Sequence, residues 1–96
     1  MPFPPQPRRP FTQEEIERLP ADARGVYGLF NEEGCVFVGK GRLRERLAAH
    51  LKGGVTEEAH CIRRNAPTYW LCEETEDFVV RHLGLVVEYE PRCRST

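Results

Sequence analysis

Apolar residues cluster in two short runs that predict a pair of β-strands early in the chain. Residues 26–30 and 35–38 are rich in strand-forming residues, and a polar stretch that ends in Gly34 separates them. A type I turn that closes with glycine in the left-handed region gives a bulged hairpin, because glycine adopts that conformation without steric cost. In this register Asn31 faces Cys35, Leu29 faces Phe37, and Tyr27 faces Gly39.

This register gives the hairpin two faces, because successive side chains of a strand point to opposite sides. The residues on one face are Tyr27, Leu29, Cys35 and Phe37. Those on the other are Val26, Phe30, Val36 and Val38. The second set is entirely apolar, so we expect that face to be buried in the core.

Helical spacing of apolar residues dominates the region that follows the hairpin. Leucines recur every four residues from 43 to 51, which predicts a helix over 42–51 with one buried stripe. Arg42, Arg46 and His50 recur at the same spacing on an adjacent stripe. Arg46 and His50 are one helical turn apart and therefore project together.

Weaker patterns complete an α+β prediction. Thr12 is suited to cap a helix from 13 to about 19, and a short helix is expected after Thr56. Residues 68–72 are typical of a third strand, and Thr75 can cap a final helix. We predict a proline-rich extended arm at 1–11 and one domain at 12–96, built as a small three-stranded antiparallel sheet flanked by helices.

Charge is balanced over the whole chain but uneven along it. The 96 residues carry a formal net charge of −1, so no global positive field indicates nucleic-acid binding. From Lys40 to Lys52, however, five basic residues stand against one acidic residue, a local balance of +4. The ordinary explanation of such a run is a solvated helix face, and a phosphate-binding surface is the alternative.

Two compositional features bear on location. No apolar run approaches the roughly 20 residues of a membrane-spanning helix, and the start of the chain lacks the apolar centre of a secretory signal. The four cysteines show none of the close spacings of structural zinc sites. We therefore expect no membrane association and reduced thiols in a cytoplasmic protein.

An ordered set of motifs resembles the GIY-YIG nuclease domain from about Gly25 to Arg94. The motifs are Gly25-Val26-Tyr27, Phe37-Val38-Gly39, Gly39-Lys40-Gly41, Leu43-x-x-Arg46-Leu47-x-x-His50-Leu51 and, after a strand and a helix, Glu90-Pro91-Arg92. In that family a tyrosine of the first tripeptide orients or deprotonates the attacking water. An arginine of the helix stabilises phosphate charge, and a residue one turn later assists. The resemblance implies Tyr27, Arg46 and His50 as candidate catalytic residues.

Two departures from the family pattern predict a degenerate active site. Phe37 stands where the second tripeptide has a tyrosine, and it has no hydroxyl. The family holds one divalent cation with a single glutamate on the final helix, and counting back from Pro91 places His82 there. Because magnesium prefers oxygen ligands, imidazole is a poor substitute. We expect no metal ligand and no cofactor, and His82 as a neutral, packed histidine.

The leading hypothesis is a stand-alone, catalytically degenerate GIY-YIG-like domain with a basic surface for nucleic acid. Lys40, Arg42 and Arg46, with His50, would bind the phosphates, since guanidinium groups bind phosphate oxygens through paired hydrogen bonds. We expect DNA rather than RNA as the partner. Two alternatives stay open: a divergent endonuclease that uses Mg²⁺ or Mn²⁺ with Tyr27 or His50 as base, and a protein-interaction module with no nucleic-acid role.

Overall fold

Four antiparallel strands form one sheet in a computed structural model that describes residues 1–94. Across the sheet the strands follow the order β1 (Arg9–Pro10), β4 (Tyr69–Glu74), β2 (Arg24–Asn31) and β3 (Gly34–Arg42). In chain order the elements are β1 (Arg9–Pro10), α1 (Gln13–Ile16), β2 (Arg24–Asn31), β3 (Gly34–Arg42), α2 (Leu43–Lys52), α3 (Glu57–Arg64), β4 (Tyr69–Glu74) and α4 (Phe78–Tyr89). The α+β class is confirmed, and the predicted number of strands is wrong by one.

The additional strand comes from the proline-rich arm. Arg9 and Pro10 pair with Trp70 and Tyr69 of β4, and the Trp70 indole Nε1 donates a hydrogen bond to the Pro10 carbonyl at 3.1 Å. The Arg9 guanidinium also lies 4.2 Å from the centre of the Trp70 ring system. A two-residue strand with a proline has no alternating pattern, so these tertiary contacts define it.

The rest of the arm is held against the sheet as well. Phe3 is buried and packs against the rings of Phe30 and Tyr89. The Gln6 side-chain amide donates to the Cys72 carbonyl at 2.9 Å and accepts from the Cys72 amide at 3.1 Å. The side chain of Gln6 thus supplies the pair of hydrogen bonds that a neighbouring strand would make. The predicted division of the chain at residue 11 stays a prediction.

The hairpin register agrees with the prediction near the site and differs at the turn. Leu29 faces Phe37 and Tyr27 faces Gly39, as expected, whereas Asn31 faces Gly34 instead of Cys35. The Asn31 side-chain oxygen accepts hydrogen bonds from the amides of Glu33 and Gly34, at 2.8 and 3.1 Å, which closes a two-residue turn. Gly34 has a φ of 137°, which favours glycine.

A β-bulge between Leu29 and Phe30 restores the register beyond the turn. The extra residue on β3 reverses the faces of two neighbours, so Val36 packs with Tyr27 and Cys35 packs with Val26 and Phe30. The predicted faces of Cys35 and Val36 are therefore wrong, and those of the other hairpin residues hold. Helices α1, α2 and α3 contribute to the core on the Tyr27 face, whereas α4 and Phe3 cover the opposite face.

The C-terminal segment crosses the outer side of β3. The amides of Arg92 and Cys93 donate to the carbonyls of Cys35 and Val36, at 3.2 and 2.8 Å. This path brings Cys93 to Cys61 on α3, and the two form a disulfide. The expectation of four reduced thiols is wrong, because tertiary packing joins two cysteines that are 32 positions apart in the chain. No helix within residues 1–94 has the length and apolar character needed to cross a bilayer.

Candidate functional site

Three rings meet on one face of the hairpin. The Tyr27 and Phe37 ring centroids lie 6.2 Å apart, and the His50 ring of α2 lies 5.6 Å from Tyr27 and 4.9 Å from Phe37. The Tyr27 hydroxyl is 2.6 Å from Nε2 of His50. A side chain at Gly39 would overlap the Tyr27 ring and hydroxyl, so this packing requires a glycine there. The structure thus brings Tyr27, Phe37 and His50 together, as the register predicts.

Burial fixes the protonation of the Tyr27–His50 pair at neutral pH. Tyr27 has no exposed surface, and this burial raises the pKa of its hydroxyl, although the nearby charge of Arg46 acts in the opposite direction. Burial, reinforced by Arg46, lowers the pKa of His50 to about 4. A protonated phenol therefore donates to a neutral imidazole that carries its own proton on Nδ1. Both groups are weak bases at neutral pH.

Arg46 projects from α2 beside this pair and is exposed. With His50 and Glu58 it lines a cavity of about 270 Å³ where α2, the following loop and α3 meet. Thr56 is the N-cap of α3 at this point, and its hydroxyl accepts a hydrogen bond from the Ala59 amide at 3.1 Å. The cavity combines a permanent positive charge, a neutral imidazole and a carboxylate.

The other two basic candidates lie elsewhere. Lys40 is opposite Val26 in the hairpin register, which places it on the face away from Tyr27. Arg42 lines a separate cavity of about 410 Å³ formed with residues of α1 and with Arg44. The predicted set Lys40, Arg42 and Arg46 is therefore distributed around the end of β3 and does not form one cluster.

His82, which the resemblance places at a metal-binding position, is engaged in the fold. It is 8% exposed, and its Nε2 donates to the Val38 carbonyl at 3.1 Å. Burial lowers its pKa; the hydrogen bond to Val38 opposes this effect, and the charge of Lys40 adds to it. His82 is thus a neutral, hydrogen-bonded side chain on the face opposite Tyr27.

Glu58 also lines the cavity, and the sequence did not predict it as a site residue. Oε1 of Glu58 is buried and has no hydrogen-bond partner within residues 1–94. In the sequence Glu57 and Glu58 both look like ordinary acidic residues of a first helical turn, where they interact favourably with the helix dipole. The one available signal is the spacing of Glu58 from Ile62, which is buried one turn later on the same side of α3.

Comparison with known proteins places this geometry in a known fold. No protein-family model and no curated protein matches the sequence. Among solved structures, the GIY-YIG N-terminal endonuclease domain of UvrC from Thermotoga maritima, bound to magnesium, matches with a TM-score of 0.65. The match covers 84% of this chain and 97% of that chain at 23% identity. The chain has a GIY-YIG-like fold.

A point mutant of the same Thermotoga domain, bound to its divalent cation, gives a similar result for this GIY-YIG-like domain. It is 25% identical with a TM-score of 0.61, and the match covers 84% of this chain and 97% of that one. The resemblance inferred from the tripeptides and the helix motif is therefore confirmed at the level of the fold.

Proposed function

We propose that this GIY-YIG-like domain binds the phosphate backbone of nucleic acid at the cavity of Arg46 and His50 and does not hydrolyse it. The observation that carries the proposal is the state of Arg46. Its side chain is exposed, and it takes part in none of the salt bridges found among residues 1–94. An exposed guanidinium outside any of these salt bridges, at a concave surface, is well suited to a phosphate, which it binds through two parallel hydrogen bonds.

Lys40 and Arg42 would extend the contact in this proposal. Because they flank the end of β3 on different sides from Arg46, they suit separate phosphates of one strand rather than a single phosphate. The similar UvrC domain is named an endonuclease domain, which supports a nucleic-acid partner, and we propose DNA rather than RNA. These three side chains would fix the position of the domain on the nucleic acid without reading its sequence, since phosphate contacts carry little sequence information.

The state of the candidate catalytic groups supports the absence of hydrolysis. Tyr27 is buried and hydrogen-bonded to His50, and Phe37 has no hydroxyl. At the His82 position of α4 there is no suitable ligand for a magnesium ion such as the one bound by the similar UvrC domain, because the Nε2 proton of His82 is committed to Val38 and imidazole is a poor magnesium ligand. The side chain of His82 therefore does not fit a magnesium ion.

A second candidate is a divergent endonuclease, which the 2.6 Å contact between Tyr27 and His50 favours. In that case His50 would accept the hydroxyl proton while the Tyr27 oxygen takes one from water. The burial of Tyr27 weighs against this route, because an attacking water has no access to its hydroxyl.

Salt-dependent binding tests the proposal. Labelled single-stranded, double-stranded and branched DNA, and a matching RNA, are titrated with the domain at several salt concentrations, and anisotropy is recorded. Arg46→Ala should weaken binding to all sequences similarly and reduce the slope of log K against log salt by roughly one. Arg64→Ala is the matched control, because Arg64 is an exposed arginine of α3 that lines neither the Arg46 cavity nor the Arg42 cavity.

Equal losses in Arg64→Ala and Arg46→Ala would show that the Arg46 cavity has no special part in binding. Absence of binding to every nucleic acid at low salt would refute the proposal and favour a protein-interaction module. The exposed apolar stripe of α4 would then be the surface to test, namely Val79, Val80, Leu83 and Val87.

A further inference from the structure

Helix α4 presents four large apolar side chains to solvent. The residues of this apolar stripe are each 56–79% exposed, namely Val79, Val80, Leu83 and Val87. The opposite side of the helix is buried against the sheet through His82 and Leu85. Val80, Leu83 and Val87 follow the i, i+3, i+7 spacing of a seam between two paired helices. A contiguous apolar patch of this kind is typical of a protein-interaction surface.

An apolar hollow adjoins the stripe. It has a volume of about 180 Å³ and lies between α4 and the C-terminal segment, with Leu83 and Val86 on the helix side and Pro91 on the other. Leu83 thus lies at the boundary between the protruding stripe and the hollow. A ridge and a depression side by side make a surface complementary to itself, because a two-fold rotation brings each ridge to the hollow of the other copy.

The charges at the two ends of α4 favour an antiparallel pair. Residues 74–77, before the helix, include three acidic residues and no basic one. Residues 90–94, after it, include Arg92 and Arg94 against Glu90. Glu88, the last acidic residue of the helix, already pairs with the N-terminal amine at 3.3 Å. An antiparallel pair sets the acidic end of one helix beside the basic segment of the other, whereas a parallel pair sets acid against acid.

We propose that α4 is a self-association surface, on which a second copy of this chain docks antiparallel across a two-fold axis near Leu83. Val80 of one copy then faces Val87 of the other, and Leu83 lies against its own counterpart. Gly84, at the edge of the stripe, allows close approach, because a side chain there would meet no atom of residues 1–94 within 4 Å.

This inference is independent of the proposed function. Helix α4 covers the sheet face opposite Tyr27, so neither Arg46 nor His50 takes part in the contact. The dimer would leave both phosphate-binding cavities accessible.

The size of the stripe determines how tightly two copies should bind. At the area that transfer free energies imply for valine and leucine, its exposed parts amount to roughly 300 Å² per copy. A standard interface buries about 800 Å² per partner, so the hollow and the C-terminal segment must contribute and the complex belongs to the weak, reversible class. We expect a Kd on the order of 100 μM.

Sedimentation equilibrium of the oxidised domain, from about 10 μM to about 1 mM, tests the surface. Leu83→Lys and Leu83→Glu should each weaken dimerisation at least about tenfold, because like charges then meet at the axis. An equimolar mixture of these two variants should form a heterodimer more tightly than either variant pairs with itself. Val55→Lys is the matched control and should dimerise as the wild type does, because Val55 is 92% exposed but precedes α3.

A pair of double variants tests the orientation. In an antiparallel dimer Val80→Lys/Val87→Glu places opposite charges against each other, whereas Val80→Lys/Val87→Lys places like charges there. The first variant should therefore dimerise more tightly than the second. Equal weakness of the two variants would refute the antiparallel arrangement. Thermal melting of every variant checks the fold, and these exposed positions should leave the melting temperature within a few degrees of the wild type.

Three results would overturn the inference. A wild-type domain that stays monomeric at about 1 mM would assign the stripe to a different partner. Dimerisation that Leu83→Lys leaves unchanged would place the contact on another surface. A mixture of Leu83→Lys and Leu83→Glu that associates no better than either variant alone would show that Leu83 does not meet its counterpart.

Discussion

Breaking the disulfide between Cys61 and Cys93 should lower the free energy of unfolding by about 3–4 kcal/mol. The bond closes a loop of 32 positions, and the chain-entropy relation for a loop of that length gives about 3.7 kcal/mol at 25 °C. The contacts of the C-terminal segment with β3 do not depend on the bond, since backbone hydrogen bonds also hold Arg92 and Cys93. The loss should therefore act mainly through the greater freedom of the unfolded chain.

Urea unfolding, followed by the fluorescence of the single, fully buried Trp70, measures this loss. The double variant Cys61→Ser/Cys93→Ser should have a midpoint about 2.5 M lower than the oxidised wild type, for an m value of about 1.5 kcal/mol/M. Dithiothreitol should lower the wild-type midpoint by a similar amount and leave the double variant unchanged. As a control, Cys72→Ser should retain the full response to dithiothreitol, because Cys72 is not in the disulfide.

Two results would refute this reasoning. One is a wild-type midpoint that does not respond to complete reduction. The other is the detection of four titratable thiols, rather than two, in the oxidised protein after unfolding. The first would mean that the bond does not stabilise the folded protein, and the second that Cys61 and Cys93 are not joined; in both cases hydrogen bonds hold the C-terminal segment against β3.

Three other predictions concern the site and the arm. With Mg²⁺ or Mn²⁺ the domain should not nick supercoiled plasmid above background, and nicking that disappears in Arg46→Ala would establish the endonuclease alternative. Stability should decrease by up to about 3 kcal/mol as pH falls from 6.5 to about 4, because the unfolded chain then binds a proton that native His50, with its pKa of about 4, does not. His50→Phe should remove that part of the dependence, and an unchanged pH profile from urea unfolding would contradict the assignment. Phe3→Ala should cost about 3 kcal/mol in urea unfolding because Phe3 is buried, and a wild-type midpoint would mean that the arm is not part of the folded core.

The sequence predicts those features of the hairpin that depend only on the alternation of side chains along a strand. Tyr27 and Phe37 share a face because side chains alternate along strands, and the pairing of Tyr27 with Gly39 survives local irregularity. The faces of Cys35 and Val36 were not predictable, since they depend on hydrogen bonds of the Asn31 side chain that select a two-residue turn and displace the bulge.

In the candidate site, too, some neighbours follow from local sequence spacing and others depend on tertiary packing. Spacing on one helix places Arg46 beside His50, and the register places Tyr27 against them, so these neighbours follow from the sequence. The contribution of Glu58 depends on how α3 packs against α2, which no local pattern encodes. The strand of the arm has the same kind of origin, because only the contacts with β4 distinguish two residues of an extended segment.

The C-terminal segment also determines how the domain can behave at high concentration. An uncovered strand edge invites pairing with another chain and aggregation. At one side of the sheet β1 is only two residues long and includes Pro10, which has no amide proton to donate. At the other side Arg92, Cys93 and His82 occupy carbonyls along the outer edge of β3. We expect the oxidised domain to resist edge-to-edge assembly, and a reduced domain whose C-terminal segment detaches to expose β3 and to aggregate through it.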